Sequence, residues 1–273
     1  MPKVSILMGI YNCEKTLAMS IDSLLAQTFK DWELIMCDDG STDHTLHIAV
    51  EYAERYENIK ILKNDKNMGL NHTLNRCANA ASGEYLARQD GDDLSMPDRL
   101  EKEVVILDEN PDYSLVSTEM AYFDEEGEWG TSHQIEKPEK SDFVAGSPFC
   151  HAPCMMRRSA FEAVGGYSVN NKLIRVEDYH LWFKLYAAGF KGYNILEPLY
   201  KMLDDRNAIM RRKYRYRINE AYVRFSGYKM LKLPLSKFIY VLRPLVVGVL
   251  PYKVYKILHK RRMAKNLKGE VSK

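Results

Sequence analysis

From Val4 to Arg88 the sequence alternates short, nearly continuous apolar runs with stretches of helical periodicity. Val4-Ser5-Ile6-Leu7-Met8-Gly9-Ile10 reads as a buried strand, after which Leu17, Ile21, Leu24 and Leu25 share one helical face. Glu33-Leu34-Ile35-Met36-Cys37 is a second strand, followed by a helix carrying Leu46, Ala49, Val50 and Ala53. Ile59 to Leu62 forms a third strand, and a helix through Leu70, Leu74, Cys77 and Ala81 ends at Gly83. Tyr85-Leu86-Ala87 is the fourth strand. Strands joined by helices through a few loop residues are βαβ units, which wind into a mostly parallel sheet flanked by helices. A Rossmann-like α/β fold is therefore expected, and 273 residues are enough to bury a substantial core.

Sheets of this kind bind ligands at the carboxyl ends of their strands. The polar motifs fall there: Tyr11-Asn12 after the first strand, Asp38-Asp39-Gly40-Ser41-Thr42-Asp43 after the second, and Arg88-Gln89-Asp90-Gly91-Asp92-Asp93 after the fourth. Three carboxylates so close together repel one another, and a divalent cation is their simplest neutraliser. Each cluster alone also suits an acidic turn; three on one rim point to a site. Neither a Gly-x-Gly-x-x-Gly nor a Gly-Lys-Ser/Thr motif is present, so phosphate charge would have to be met by a metal. A second acidic loop suits ribose hydroxyls and a uracil N–H, which are donors. The expected ligand is a nucleoside diphosphate bound through a divalent cation.

Beyond Pro97 the reading is coarser. Arg99 to Asn110 is an amphipathic helix and Leu115-Val116-Ser117-Thr118 a strand. Residues 125–147 read as a solvated loop rather than an acceptor-side lid, and Phe149 to Met156 as a return to the sheet, with His151 packed in that strand. Ser159 to Tyr167 is a short helix closed by Gly165 and Gly166. Glu177 and Asp178 open a helix whose Leu181, Trp182, Leu185 and Tyr186 face inward. Carboxylates there suit the helix dipole; one turned into the cleft suits proton abstraction from a hydroxyl.

The net charge of +2 conceals an asymmetry: residues 206–273 hold 19 Lys and Arg against 2 Asp and Glu, leaving 20 against 35 before them. An anionic surface is the expected partner of that tail. Phe238 to Leu258 is apolar but interrupted by Arg243, Pro244, Gly248, Pro251, Lys253 and Lys256, which argues against a transmembrane helix. It suits an amphipathic element at an anionic inner leaflet, followed by His259-Lys260-Arg261-Arg262, and helices packed on the catalytic domain are the alternative. A membrane is favoured over nucleic acid, and no nucleic-acid partner is expected. Cys13, Cys37, Cys77, Cys150 and Cys154 are odd in number and fit a reducing cytosol; Cys150-His151-Ala152-Pro153-Cys154 lacks a fourth ligand for a metal. Val4 to Ile10 is too short for a secretory leader, so a cytoplasmic protein, peripheral on the inner face of the membrane, is expected.

In order and spacing these motifs resemble the family 2 glycosyltransferases of GT-A fold, a group that includes bacterial polysaccharide-building enzymes. The resemblance is carried by Val4 through Asn12, Asp38 through Asp43, Asn67-Met68-Gly69, Asp90-Gly91-Asp92-Asp93, Gly165-Gly166-Tyr167 and Glu177-Asp178-Tyr179, and covers residues 3–205. It implies a GT-A catalytic domain over 1–205, with a nucleotide-sugar half at 1–95 and an acceptor half at 96–205, followed by a basic, amphipathic helical extension over 206–273. It implies transfer of a sugar, with inversion, from a nucleoside-diphosphate sugar, expected to be a UDP-sugar. The acceptor would be a hydroxyl of a glycan or lipid-linked molecule in cell-surface polysaccharide assembly. On this resemblance Tyr11, Asp39, Arg88 and Asp90 bind the nucleotide sugar, Asp92 holds Mn²⁺ or Mg²⁺, and Asp178 is the general base; Glu177, Asp205 and Arg211 are additional candidates.

One departure stands out. Many family members carry a His shortly after the equivalent of Leu199-Tyr200, where this chain reads Tyr200-Lys201-Met202-Leu203-Asp204-Asp205-Arg206. Asp204, Asp205, Arg211 and Arg212 are the residues open to replace it. The rival readings are a nucleotidyltransferase of similar fold, which would want a Gly-rich basic loop where Met8-Gly9-Ile10-Tyr11 stands, and a non-catalytic nucleotide-sugar or membrane-binding module.

Overall fold

A computed structural model describes residues 1–204 and 213–249. Its first elements are β1 (Val4–Ile10), α1 (Leu17–Leu25), β2 (Trp32–Asp38), α2 (Thr45–Arg55), β3 (Ile59–Lys63), α3 (Leu70–Ala80) and β4 (Tyr85–Arg88). These are the alternating runs read from the sequence. Next come β5 (Leu94–Ser95), α4 (Arg99–Glu109), β6 (Tyr113–Asp124), β7 (Gly127–Thr131), β8 (Met155–Arg157) and α5 (Arg158–Ala163). The last are α6 (Glu177–Ala187), β9 (Lys191–Leu203), α7 (Tyr214–Met230) and α8 (Arg243–Gly248).

The strands form one sheet in the order β3-β2-β1-β4-β8-β6-β9-β5, with β7 on β6. The longer ladders, β1–β2, β2–β3, β1–β4 and β6–β9, are parallel. Short β8 lies antiparallel between β4 and β6, and β5 caps β9. The mostly parallel α/β architecture therefore stands, and it brings the ends of β1, β2 and β4 to one rim.

Alternation along each strand sorts the core into two layers, because successive side chains point to opposite faces. Ile6, Met8, Ile10, Leu34 and Met36 pack with Leu17, Ile21, Leu24, Leu100 and Leu107. Leu7, Ile35 and Cys37 pack on the other face with Leu74, Cys77, Leu181, Trp182 and Leu185. That second layer also takes in α7, whose Val223 and Tyr228 are fully buried. A Cβ at Gly227 would lie 2.3 Å from the Phe183 ring, so glycine is what lets α7 approach α6 this closely. Phe238 packs edge-on against Phe225 and Tyr228. The remainder of the tail, with His259 to Arg262, lies outside the described residues. Among those described, no helix is long and apolar enough to cross a membrane.

Two expectations fail beyond residue 120, and one strand goes unread. Of Phe149 to Met156 only Met155 and Met156 enter the sheet; His151 sits in a bend rather than a strand, ahead of a turn containing Pro153. Residues 125–147 are not all loop, since β7 returns along β6 through Gly127↔Asp124 and Thr131↔Ala121. Strand β9 has no counterpart in the sequence reading. Its alternation is broken where the register passes from Thr118↔Ile195 to Glu119↔Pro198 and then Met120↔Tyr200, a bulge that erases the period-two signal.

Glu33 ties the parallel strands together. Its carboxylate accepts from Ser5 Oγ at 2.6 Å, Ser82 N at 2.8 Å, Ser82 Oγ at 2.7 Å and Lys60 Nζ at 2.8 Å. Burial alone would raise its pKa, but these donors outweigh that and bring it down to about 2. Because the folded value lies below the unfolded one, the contribution is complete above pH ~4.5 and is lost as pH falls toward 2. Glu33→Gln is expected to cost about 1–3 kcal/mol in urea unfolding at pH 7. The difference should shrink at pH 3, and equal unfolding midpoints at pH 7 would count against this network.

Candidate active site

The parallel register sets Ile10 beside Asp38, so the loops after β1 and β2 leave the sheet together. They are stitched to one another: Asn12 N donates to Ser41 Oγ at 3.0 Å, Thr42 N to Asn12 Oδ1 at 2.9 Å, Cys13 N to Thr45 Oγ1 at 2.7 Å and His44 N to Glu14 Oε2 at 2.9 Å. Gly40 takes φ 77°, and a Cβ there would lie 2.9 Å from the Lys66 backbone, so the turn requires glycine. Tyr11 is left on the rim, 48% exposed. Its ring is available for stacking.

Asp39 is 5% exposed and largely committed. Oδ1 accepts from Asn64 Nδ2 at 2.6 Å and Met68 N at 2.8 Å, while Oδ2 accepts from Gly69 N at 2.9 Å. A carboxylate has about four acceptor positions, so one remains, on Oδ2. The Asn67-Met68-Gly69 motif thus has a structural cause: its amides are folded around Asp39. Arg76 supports the same floor through Asn64 Oδ1 and Lys63 O.

The acidic loop after β4 is held from several sides. Thr16 Oγ1 donates to Gly91 O at 3.0 Å and Ser20 Oγ to Asp90 O at 2.7 Å, both from the α1 segment. Buried Gln89 donates to Asp93 O at 2.9 Å and accepts from Ser95 Oγ at 2.7 Å. From β9, Tyr200 Oη accepts from Asp90 N at 3.0 Å, and Leu203 N donates to Asp93 Oδ1 at 2.8 Å. Asp90, Asp92 and Asp93 thereby offer carboxylate oxygens within 4.8 Å of one another. Asp93 is 2% exposed and tied to β9, while Asp90 and Asp92 face outward.

Crowding shows in their electrostatics. The packed surroundings and the Asp90 charge push Asp92 up to about 6, although it reaches solvent, and burial with both neighbours pushes Asp93 well above the usual carboxylate range. Arg88 Nη2 lies 2.5 Å from Asp90 Oδ1, and Arg88 Nε has no partner. Only oxygen donors are present, the set that suits a hard dication such as Mg²⁺ or Mn²⁺, and a cation there would relieve the raised carboxyls. Cys150 and Cys154 form no such site: they are buried, and among the described residues the grouping able to hold a metal is Asp90, Asp92 and Asp93.

Helix α6 opens on Glu177 and Asp178. Burial and the Glu177 charge push Asp178 up to about 7. Arg88 is the electrostatic link, acting on Asp92, Glu177 and Asp178 alike. His151 Nε2 meets Tyr167 Oη at 2.7 Å, its ring packs edge-on to Trp182, and burial holds it well below its ordinary pKa, hence neutral. Sequence reading gave Arg175 no role. It is exposed at φ 69°, and its charge acts on both Asp92 and Glu177. The one signal available was its place immediately ahead of an acidic helix start. Asp204 is fixed by its backbone, N to Phe123 O and O from Trp129 Nε1, both at 3.0 Å. Asp205, Arg211 and Arg212 lie outside the described residues.

A family model described as glycosyl transferase family 2 matches residues 5–165. EpsE of Bacillus subtilis (strain 168), provisionally named a glycosyltransferase, is 46% identical over 99% of this chain and 98% of its own length. The UDP-Gal:alpha-D-GlcNAc-diphosphoundecaprenol beta-1,3-galactosyltransferase of Escherichia coli is 29% identical over 95% of this chain and 96% of its own. Among solved structures, the mannosyltransferase PcManGT of Pyrobaculum calidifontis, in complex with GDP-Man and Mn²⁺, superposes with a TM-score of 0.63 at 18% identity, covering 96% of this chain and 79% of that one. Its fold is shared. With the motif order, the rim geometry and these matches in agreement, the chain belongs to glycosyltransferase family 2, and it is an enzyme of the glycosyltransferase type.

Proposed function

We propose that this enzyme is a metal-dependent, inverting transferase that moves a sugar from a UDP-sugar to a hydroxyl of a lipid-linked or glycan acceptor in cell-surface polysaccharide assembly. The observation that carries the reading is the presence of two kinds of carboxyl, both within the electrostatic reach of Arg88. One is an all-oxygen cluster at Asp90 and Asp92; the other is a lone base, Asp178, poised at about 7. A general base works best when its pKa lies near the working pH. Bound at Asp92 with Asp90 alongside, Mg²⁺ or Mn²⁺ would neutralise charge on the leaving diphosphate.

The chain's own residues divide the remaining work. Tyr11 stacks on the nucleobase, and Asp39 offers its remaining Oδ2 position to a base or ribose donor. Arg88, whose charge acts on both acidic groups, keeps Asp90 oriented for the donor. Asp178 takes the proton from the acceptor hydroxyl as oxygen attacks the anomeric carbon opposite the diphosphate; Glu177 keeps its pKa high. One displacement with inversion needs no covalent nucleophile. Support for UDP and for a diphosphate-lipid acceptor comes from the name of the E. coli relative; the PcManGT complex contains Mn²⁺ but a guanine nucleotide. Residues 1–95 serve the donor and 96–205 the acceptor in this scheme.

We also propose that the C-terminal segment rests on the inner face of the membrane. Leu235, Ile239, Leu242, Val246 and Val249 are 86%, 65%, 51%, 58% and 69% exposed, in a stretch that also carries Lys237 and Arg243 and no acidic residue. Apolar side chains among basic ones suit an anionic headgroup layer.

With Mn²⁺, release of nucleoside diphosphate from a panel of nucleotide sugars should select a UDP-sugar. Asp178→Asn should retain UDP and Mn²⁺ affinity while transfer falls about 10²–10⁴-fold. Because the ionised form is the active one, wild-type kcat/KM should decline below pH ~7 with unit slope; undiminished turnover in Asp178→Asn removes this base. Replacing Leu235, Ile239 and Val246 together by Ser should reduce cosedimentation with phosphatidylglycerol vesicles several-fold, and equal sedimentation would reject the membrane contact.

A further inference from the structure

Behind the acidic loop lies a buried ion pair that the scheme above does not use. Arg99, the first residue of α4, and Glu103, one turn later, are each 0% exposed. Their closest approach is 4.0 Å, from Arg99 Nε to Glu103 Oε2, and neither carboxylate oxygen has a hydrogen-bond partner. Arg99 Nε and Nη2 also lack one. A pair held so loosely does little for stability; apolar side chains of similar volume commonly serve a core as well or better.

The remaining contacts of Arg99 all lead to the acidic loop. Its Nη1 donates to Arg88 O at 2.9 Å, the carbonyl at which β4 ends and the loop begins. Its guanidinium lies 5.5 Å from the centroid of the Tyr200 ring, a cation–π approach to a fully buried tyrosine on β9. That tyrosine receives Asp90 N, and Leu203, three residues along the same strand, holds Asp93. Strands β4 and β9 are not neighbours in the sheet, since β8 and β6 lie between them. One planar side chain therefore bridges the two strands from which the loop is suspended. Lysine concentrates its three donors on one compact ammonium and lacks the planar fork, so it matches contacts spread over a guanidinium less well.

We infer that Arg99, seated on Glu103, is a positioning residue that sets the spacing of Asp90, Asp92 and Asp93 by clamping the end of β4 against Tyr200. The inference rests on the reading of those aspartates as a divalent-cation site.

Mn²⁺ binding to the full chain, followed by electron paramagnetic resonance without substrate, tests it alongside thermal unfolding. Arg99→Met leaves Glu103 buried and alone, so the informative variant is Arg99→Met with Glu103→Met. It is expected to melt within a few degrees of the wild type yet to bind Mn²⁺ at least tenfold more weakly. Arg99→Lys, which keeps a charge opposite Glu103, is expected to fold and also to bind more weakly, by at least threefold. Wild-type affinity in either folded variant overturns the inference alone. A wild-type protein that binds no Mn²⁺ overturns the cation-site reading and this inference with it.

Discussion

Like-charge crowding at the end of β4 is the constraint on which the rest of this cleft depends. Asp90, Asp92 and Asp93 stand within reach of a single ion, and burial first, then the charges of their neighbours, raises the pKa values of Asp92 and Asp93. A loop under that strain keeps its shape only when its backbone is over-determined. Here α1, Gln89 and β9 each fix part of it, through Thr16, Ser20, Tyr200 and the Leu203 amide. The long course of β9 follows from that requirement. Its end must arrive beside Asp93, although it belongs to the other half of the sheet and pairs with β6.

The donor side solves a different problem. There the loops after β1 and β2 must approach closely while leaving some hydrogen-bonding capacity unused. Parallel pairing brings them together, and Asn12, Ser41, Thr45 and Glu14 consume most of the loop amides. Asp39 spends three of its acceptor positions ordering Met68, Gly69 and Asn64, which fixes the direction of the fourth. A carboxylate held this firmly loses little entropy when a ligand donor reaches it. In the proposed scheme, the firmly held loops around one exposed ring, Tyr11, make a preorganised edge for a planar base.

The sequence was most legible where local periodicity and sheet register agree. Elements from β1 to β4 can be read from apolar runs and helical periodicity because β1, β2 and β4 are buried on both faces and each helix has one apolar side. The strand-end acids could be read too, since topology alone delivers them to one rim. Legibility fails where long-range pairing overrides local pattern. β9 carries Lys191, Glu197, Pro198 and Lys201 and is a strand because β6 lies beside it through a bulge. Asp39 looked free in sequence and is mostly occupied, because nothing local reveals that Met68 and Gly69 fold over it. Arg99 reads as an ordinary helix residue, and nothing local reveals that its guanidinium reaches both Arg88 O on β4 and Tyr200 on β9.

Two carboxyl groups of this cleft have raised pKa values for reasons that differ in what can relieve them. Asp92 is raised by packed surroundings and by Asp90, a neighbour that the same cation would neutralise. Binding there converts repulsion into coordination, so the cluster gains most by the arrival of a charge. Asp178 is raised by burial and by Glu177, with Arg88 and the helix amides opposing. A cation on the far side of Arg88 changes that balance less, since burial is the larger cause. In the proposed scheme the same fold thus keeps one acidic group for a metal and another for a proton. The difference is set by which elements surround each: an open loop on the strand rim for Asp92, and the buried start of α6 for Asp178.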